Sequence, residues 1–426
     1  MKKKVLIITY YWPPAGGPGV QRWLKFVKYL PDFNIEPVVY VPENPNYPII
    51  DKSLLNEVSK EITIIKQPIS EPYKLARLFS KKSSKAISKG IITEEKQQSF
   101  IEKCMLYIRG NFFIPDARKS WVNPSVAYLS NYILKENIET IITTGPPHSL
   151  HLIGLKLKTQ LGVKWLADFR DPWTTIGYHK QLKLSNSSKK KHKTLEKKVL
   201  NSANQIVVTS FITKKEFQQI TKQPIAVITN GYDNEKFISD FKMDLKFSIA
   251  HIGSLLSKRN PEILWKVLSD LVTENKAFSK DFQLNFIGAV SENVLNTIKK
   301  QGLINYVNEV GYVSHNEAIM FQKKSQILLL IEINSEDTKC IIPGKLFEYM
   351  VSKRPIIALG PKHSDVSKII SETNTGTYFN YDDENVLKKA ILEHYIAFKN
   401  NTLHTSPIGL QKYHRKSLTE LLSKLL

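Results

Sequence analysis

The chain has 426 residues and a mass of 48.9 kDa, with 42% hydrophobic and 23% charged residues, enough apolar material to bury two cores and too much for a disordered chain. Its two cysteines, Cys104 and Cys340, exclude a disulfide framework and a cysteine-rich zinc site and fit a reducing compartment. The formal charge of +22 is uneven, with a net +17 in residues 1–240 and +5 in residues 241–426.

Met1-Lys-Lys-Lys followed by Val5–Ile8 has an apolar run too short for a signal peptide, and no stretch approaches the roughly 18 to 20 residues of a membrane span. A soluble, cytoplasmic protein is expected. Val5–Thr9 reads as a buried strand, Tyr10–Pro18 as a Pro/Gly loop, and Gly19–Leu30 as a helix with apolar residues at Val20, Trp23, Leu24, Val27 and Leu30. Further strands fit Pro37–Val41, Thr140–Thr144, Lys164–Ala167, Gln205–Thr209 and Ala226–Thr229. Residues from about 71 to 122 read as a helical, basic insertion carrying Lys74, Arg77, Lys81, Lys82, Lys85 and Lys89. A second basic run holds Lys189, Lys190, Lys191, His192, Lys193, Lys197 and Lys198. Such runs read either as solvated helix faces or as surfaces for anionic lipid; nucleic acid fits less well, because no zinc finger, RRM or helix-turn-helix signature accompanies them.

A turn-rich connection, Asn230–Phe237, separates a second series. It predicts strands at Phe247–Gly253, Phe282–Gly288, Ser325–Ile331 and Pro355–Leu359, and helices at Pro261–Glu274, Ser314–Lys323, Lys345–Val351 and Leu418–Leu426. Strands alternating with helices imply parallel sheets in an α/β protein, which bind ligands beyond their strand C-termini. Gly16 and Gly17 follow the first strand and precede a helix, where backbone N–H groups are open to an anionic or sugar ligand; the competing reading is a plain turn. Gly253 ends the first strand of the second series. Lys258 and Arg259 then precede a helix with Asn260 as its expected cap, positioned to neutralise a diphosphate or simply to charge the surface. Lys345 lies on the first turn of the next glycine-started helix, and Glu348, one turn later, can accept hydrogen bonds from vicinal hydroxyls.

In this order, these motifs resemble the family 4 glycosyltransferases of the GT-B fold over nearly the whole chain. The likeness rests on Tyr10-Tyr-Trp-Pro-Pro-Ala-Gly-Gly17, Thr143-Thr-Gly-Pro-Pro-His148, Ala167-Asp-Phe-Arg-Asp-Pro-Trp173, Leu195-Glu-Lys-Lys-Val-Leu200 leading into Ile206-Val-Val-Thr-Ser210, and Ile228-Thr-Asn-Gly-Tyr-Asp233. In the second half it rests on Gly253 with Lys258 and Arg259, on Gly311-Tyr-Val313 and on Pro343-Gly-Lys-Leu-Phe-Glu-Tyr-Met350. The resemblance implies two Rossmann-like doubly wound domains facing across a cleft. These would be residues 1–237 on the acceptor side and 238–404 for the nucleotide sugar, with a C-terminal helix, 405–426, returning to the first domain.

It also implies retaining transfer from a nucleoside diphosphate sugar, without a metal, to a glycan or lipid-linked acceptor in cell-surface polysaccharide assembly. By similarity Gly16 and Gly17 line the diphosphate and sugar, Lys258 and Arg259 hold the phosphates, the backbone near Val313 meets the base, and Glu348 binds the ribose. Gly253 lies beside them, and the amides of Ile342, Gly344 and Lys345 are placed to grip hydroxyls or phosphate. Asp168, Asp171 and His148 are the candidates for catalytic contact with acceptor or sugar, while Arg170 pairing with Asp168 and Asp171 is the structural alternative. The family's Glu-x7-Glu pair is incomplete here, because Cys340 stands eight residues before Glu348. Glu336 and Asp337 are the nearby acids, and sugar identity is the property in question. A basic first domain would hold the enzyme at the anionic inner face of the membrane. A GT-B epimerase, a nucleic-acid-binding protein and a non-catalytic sugar-binding relative are the alternatives.

Overall fold

The computed structural model describes residues 2–71, 100–180, 182–233 and 241–426. They form two compact units, one of residues 1–230 with 415–426, the other of residues 231–414. The basic cluster from Lys74 to Lys89 falls outside the described residues.

In the first unit, β1 (Lys3–Ile8), β2 (Ile35–Pro42), β3 (Thr63–Gln67), β4 (Thr140–Gly145), β5 (Lys164–Phe169), β6 (Gln205–Val208) and β7 (Ile225–Val227) make one parallel sheet in the order β3-β2-β1-β4-β5-β6-β7. β1 reads as an unbroken apolar run because both faces are covered. Leu6 and Ile8 pack with Val126, Leu129 and Ile153 on one face. Val5 and Ile7 pack with Trp23, Val27, Leu418 and Leu422 on the other. The helix Arg415–Ser423 therefore belongs to this unit, lying against the helix Pro18–Tyr29. Residues 405–414, expected to leave with it, stay in the second unit.

In the second unit, β8 (Phe247–Ile252), β9 (Phe282–Ile287), β10 (Val307–Gly311), β11 (Ile327–Ile331), β12 (Ile356–Gly360) and β13 (Gly376–Asn380) form a parallel sheet in the order β10-β9-β8-β11-β12-β13. Alternate residues again divide between two cores: Ile327, Leu329 and Ile331 join one, Leu328 and Leu330 the other. In both sheets the strand order reverses direction beside the first strand, which puts a crevice at the strand C-termini. Helix ends follow local chemistry. Ser314 and Glu317 form a reciprocal capping box before His315–Lys324. Asn260 does not cap Glu262–Glu274. Pro261 holds that position, and the Asn260 carbonyl instead accepts Trp265 Nε1 at 2.7 Å while its amide donates to Asn293 and Thr297.

Candidate functional site

In the second unit the strand ends converge on Gly253. This residue has φ +107°, and Gly288 at φ +127° lies so close that a Cβ there would sit 2.7 Å from the Gly253 carbonyl oxygen. A side chain at either position is excluded, so the backbones of two neighbouring strand ends meet. A Cβ on Gly253 would in turn approach Lys345 Nζ at 3.1 Å.

Lys345 occupies the first turn of Gly344–Val351, a helix that starts at Pro343 with no side-chain cap, leaving its first N–H groups open. The Lys345 ammonium donates to the Ile252 carbonyl at 2.7 Å and to His251 Nε2 at 3.3 Å. His251 is buried and neutral: Nδ1–H donates to the Leu329 carbonyl, which leaves Nε2 as an acceptor. Burial lowers Lys345 to about 7; the nearby charge of Arg259 adds to this, and Glu348 opposes it. Tyr349, fully buried beneath, ties its hydroxyl to the Ile252 backbone.

Arg259 stands at the end of a short 3-10 turn, Ser257–Arg259, half-buried, with Nε enclosed and unbonded. Among the described residues neither Arg259 nor Lys345 forms an ion pair within 4.0 Å. Lys258, beside them in sequence, is exposed. Glu348 is half-buried and accepts Gln322 Nε2 at 3.0 Å. Val313 is half-buried after the turn at Gly311 (φ +77°). Lys345, Gly253 and Arg259 are thus brought together by their mutual contacts and charges.

Glu336 is spent on an exposed ion pair with Lys339 at 2.6 Å, Asp337 sits in the same short turn, and Cys340 itself is buried. Sequence reasoning missed Glu332. It follows the last residue of β11, is 4% exposed, and accepts Tyr378 OH at 2.7 Å and Ser364 Oγ at 2.9 Å through Oε2, while Oε1 is buried without a partner. Burial pushes its carboxyl up to about 7, with Arg259's charge opposing. The available signal was an acid directly after the apolar run Ile327–Ile331.

In the first unit the three acceptor-side candidates separate. Asp168, 1% exposed, accepts Arg22 Nη2 at 2.8 Å on Oδ1, and on Oδ2 it accepts Trp23 Nε1 at 2.9 Å and Thr144 Oγ1 at 2.8 Å. Through these bonds Asp168 anchors β5 to the helix Pro18–Tyr29. Its partner is Arg22, not Arg170.

Arg170 lies instead against the glycine loop, its guanidinium in the space a Gly19 side chain would fill, over the Tyr11 ring at 5.6 Å and bonded to the Pro146 carbonyl. Asp171 is half-buried and makes no hydrogen bond among the described residues. Burial raises its carboxyl, opposed by Arg170 and reinforced by Asp168. His148 is 6% exposed and stacks flat on Trp173 at 4.9 Å; both ring nitrogens are unbonded, and burial keeps it neutral. Gly16 donates its N–H to the Ile49 carbonyl at 3.0 Å, so that amide is not open to a ligand. Gly17, with φ +103° and nothing within 4 Å of its Cβ direction, keeps the open approach.

No family model matches the chain, and no curated protein matches it. Solved structures do, at low identity. Anabaena Alr3699/HepE in complex with UDP is 12% identical with a TM-score of 0.61, over 99% of both chains. WaaG, a glycosyltransferase involved in lipopolysaccharide biosynthesis, is 12% identical with a TM-score of 0.55, over 99% of both. A putative UDP-N-acetylglucosamine 2-epimerase from Listeria monocytogenes is 11% identical with a TM-score of 0.53, over 99% of this chain and 95% of that one. With two parallel Rossmann-like sheets and full-length likeness to glycosyltransferases of known structure, the chain has the GT-B fold.

Proposed function

We propose that the protein is a retaining, family 4-type glycosyltransferase that moves a sugar from a nucleoside diphosphate donor to a glycan or lipid-linked acceptor in cell-surface polysaccharide assembly. The observation that carries this reading is the group at Gly253: two cations, Lys345 and Arg259, without ion-pair partners among the described residues, beside an uncapped helix start. A diphosphate supplies the missing negative charge and accepts the free N–H groups.

As the glycosidic bond breaks, charge builds on the departing diphosphate. Lys345, Arg259 and Lys258, rather than a metal, take it up in this reading, and fixed cations stabilise that charge most in the transition state. Glu348 holds the ribose, and the backbone near Val313 meets the base. A donor phosphate oxygen takes the acceptor's proton, while Asp171 orients the acceptor hydroxyl. Glu332 is the carboxyl nearest to replacing the acid that Cys340 lacks. The protein works in the cytoplasm, where the excess positive charge of residues 1–240 draws it to the anionic inner face of the membrane. Among the described residues no helix is long and apolar enough to cross a membrane.

Epimerisation of the nucleotide sugar is the second reading, because an epimerase shares the fold. Thermal unfolding against a panel of nucleotide sugars tests donor binding, since a ligand of the folded state alone raises the midpoint. A stabilising donor consumed only when a glycan acceptor is present supports transfer. Conversion of that donor without acceptor selects the epimerase, and no stabilisation by any member of the panel removes both.

A further inference from the structure

The second basic run of the sequence borders a cavity of about 520 Å3 wholly within the first unit. Thr174, His179 and Leu184 line one part; Lys189, Lys190, Lys193 and Lys197 line another. Lys189, Lys193 and Lys197 recur every fourth residue and share one face of the helix Asn186–Ser202, with Lys190 adjacent. Like charges one turn apart oppose helix formation, and no residue offsets them: none of the four forms an ion pair among the described residues. The helix's single acid, Glu196, is buried and occupied by Thr174, accepting Thr174 N at 3.1 Å and Thr174 Oγ1 at 2.6 Å.

A second observation comes from the opposite wall. His179 is 8% exposed, and its Nε2 has no hydrogen-bond partner among the described residues. A buried polar atom without a partner is costly unless something bonds to it. Burial lowers this ring to about 4, so it is neutral and adds no charge to the cavity.

We propose that this cavity binds a phosphate ester, with the four lysines neutralising the phosphate and His179 forming part of its wall. Four unpaired cations call for a multiply charged anion. The volume, within the range of about 300–1,000 Å3 usual for small-ligand sites, admits a phosphorylated polyol or sugar rather than a bare ion. That chemistry is shared by acidic phospholipid headgroups and by soluble sugar phosphates. The inference does not depend on the transferase reading, because the cavity uses none of the proposed donor-binding residues.

The test compares the full-length chain with three variants in binding glycerol 1-phosphate by calorimetry and phosphatidylglycerol vesicles by sedimentation. Lys189→Gln/Lys193→Gln empties the cavity of two charges. Lys191→Gln/Lys198→Gln removes the same charge from helix positions that do not line it. Arg259→Ala reports on anion binding in the second unit. The cavity pair is expected to weaken binding about tenfold, as for loss of a charged hydrogen bond, with the other two variants within about twofold of wild type. Lys189→Arg/Lys193→Arg retains binding. Loss confined to vesicles identifies a lipid headgroup, and loss confined to glycerol 1-phosphate a soluble ester; either supports the site. Equal weakening by the two lysine pairs, weakening by Arg259→Ala alone, or no binding of either probe by wild type overturns it.

Discussion

Burial lowers the Lys345 ammonium to about 7, and a diphosphate placed beside it restores the proton. The phosphates of a nucleotide sugar are diesters with no proton to lose near neutrality, so the proton taken up on binding belongs to the protein. Between the free value near 7 and the higher value in the complex, affinity falls by up to about tenfold per pH unit as pH rises. Glu332, also raised to about 7, acts in the same direction, because its ionised form attracts Arg259. Calorimetry from pH 6 to 9 on wild type and Lys345→Met separates the two: the variant retains only the shallower Glu332 slope. A flat wild-type profile would place Lys345 away from the phosphates. Arg259→Ala and Glu348→Ala should each weaken nucleotide-sugar affinity by about 1–3 kcal/mol, the range for removing a partner from a charged hydrogen bond; unchanged affinity in both moves the site. Asp168→Asn leaves Arg22 buried and uncompensated. It should lower unfolding free energy by about 3–5 kcal/mol in urea without changing activity per folded molecule, whereas a catalytic Asp168 would do the reverse. Lys258, Arg259, Lys345 and Glu348 were legible as residue types near glycine turns. The burial that tunes Lys345 and the three partners that occupy Asp168 were not, since Arg22 and Asp168 lie 146 residues apart.

Elements were easiest to read where both faces of a strand are covered. β1, β4, β8 and β11 are buried along most or all of their length, so their apolar runs stand out in the sequence. β3, β10 and β13 escaped notice for the opposite reason: each lies at a sheet edge, with exposed or half-exposed residues interrupting the pattern. An edge strand has one neighbour and a wetter face, so its composition approaches that of a loop. The misplaced cap at Asn260 shows a related limit, because a nearby buried indole, Trp265, claims the carbonyl that local chemistry assigns to the helix start. The final helix, apolar on one side, is held by Leu418 at 4% and Leu422 at 1% exposure. Leu422→Ala should cost about 2–5 kcal/mol by denaturant titration. A change below about 1 kcal/mol would mean that this helix does not close the core beneath β1.

Over the whole chain, the net positive charge is concentrated in residues 1–240. Cosedimentation with anionic vesicles should exceed that with neutral vesicles at low salt and disappear at about 0.5 M salt, as screening shortens the reach of surface charge; equal binding to both vesicle types would remove the membrane reading. Alternating strand and helix signals, two series separated near residue 230, and glycines at the ends of first strands were enough to establish an α/β chain with two parallel sheets, because those features depend on neighbours within one or two turns. The tertiary structure alone decided which charges stay unpaired. It buried Asp168 among donors from two elements, left Lys345 and Arg259 without an ion pair among the described residues, brought Glu332 beside Tyr378 and Ser364, and gathered four lysines around a cavity with His179. Pairing and desolvation are properties of groups distant in sequence and adjacent in space, which no local pattern encodes.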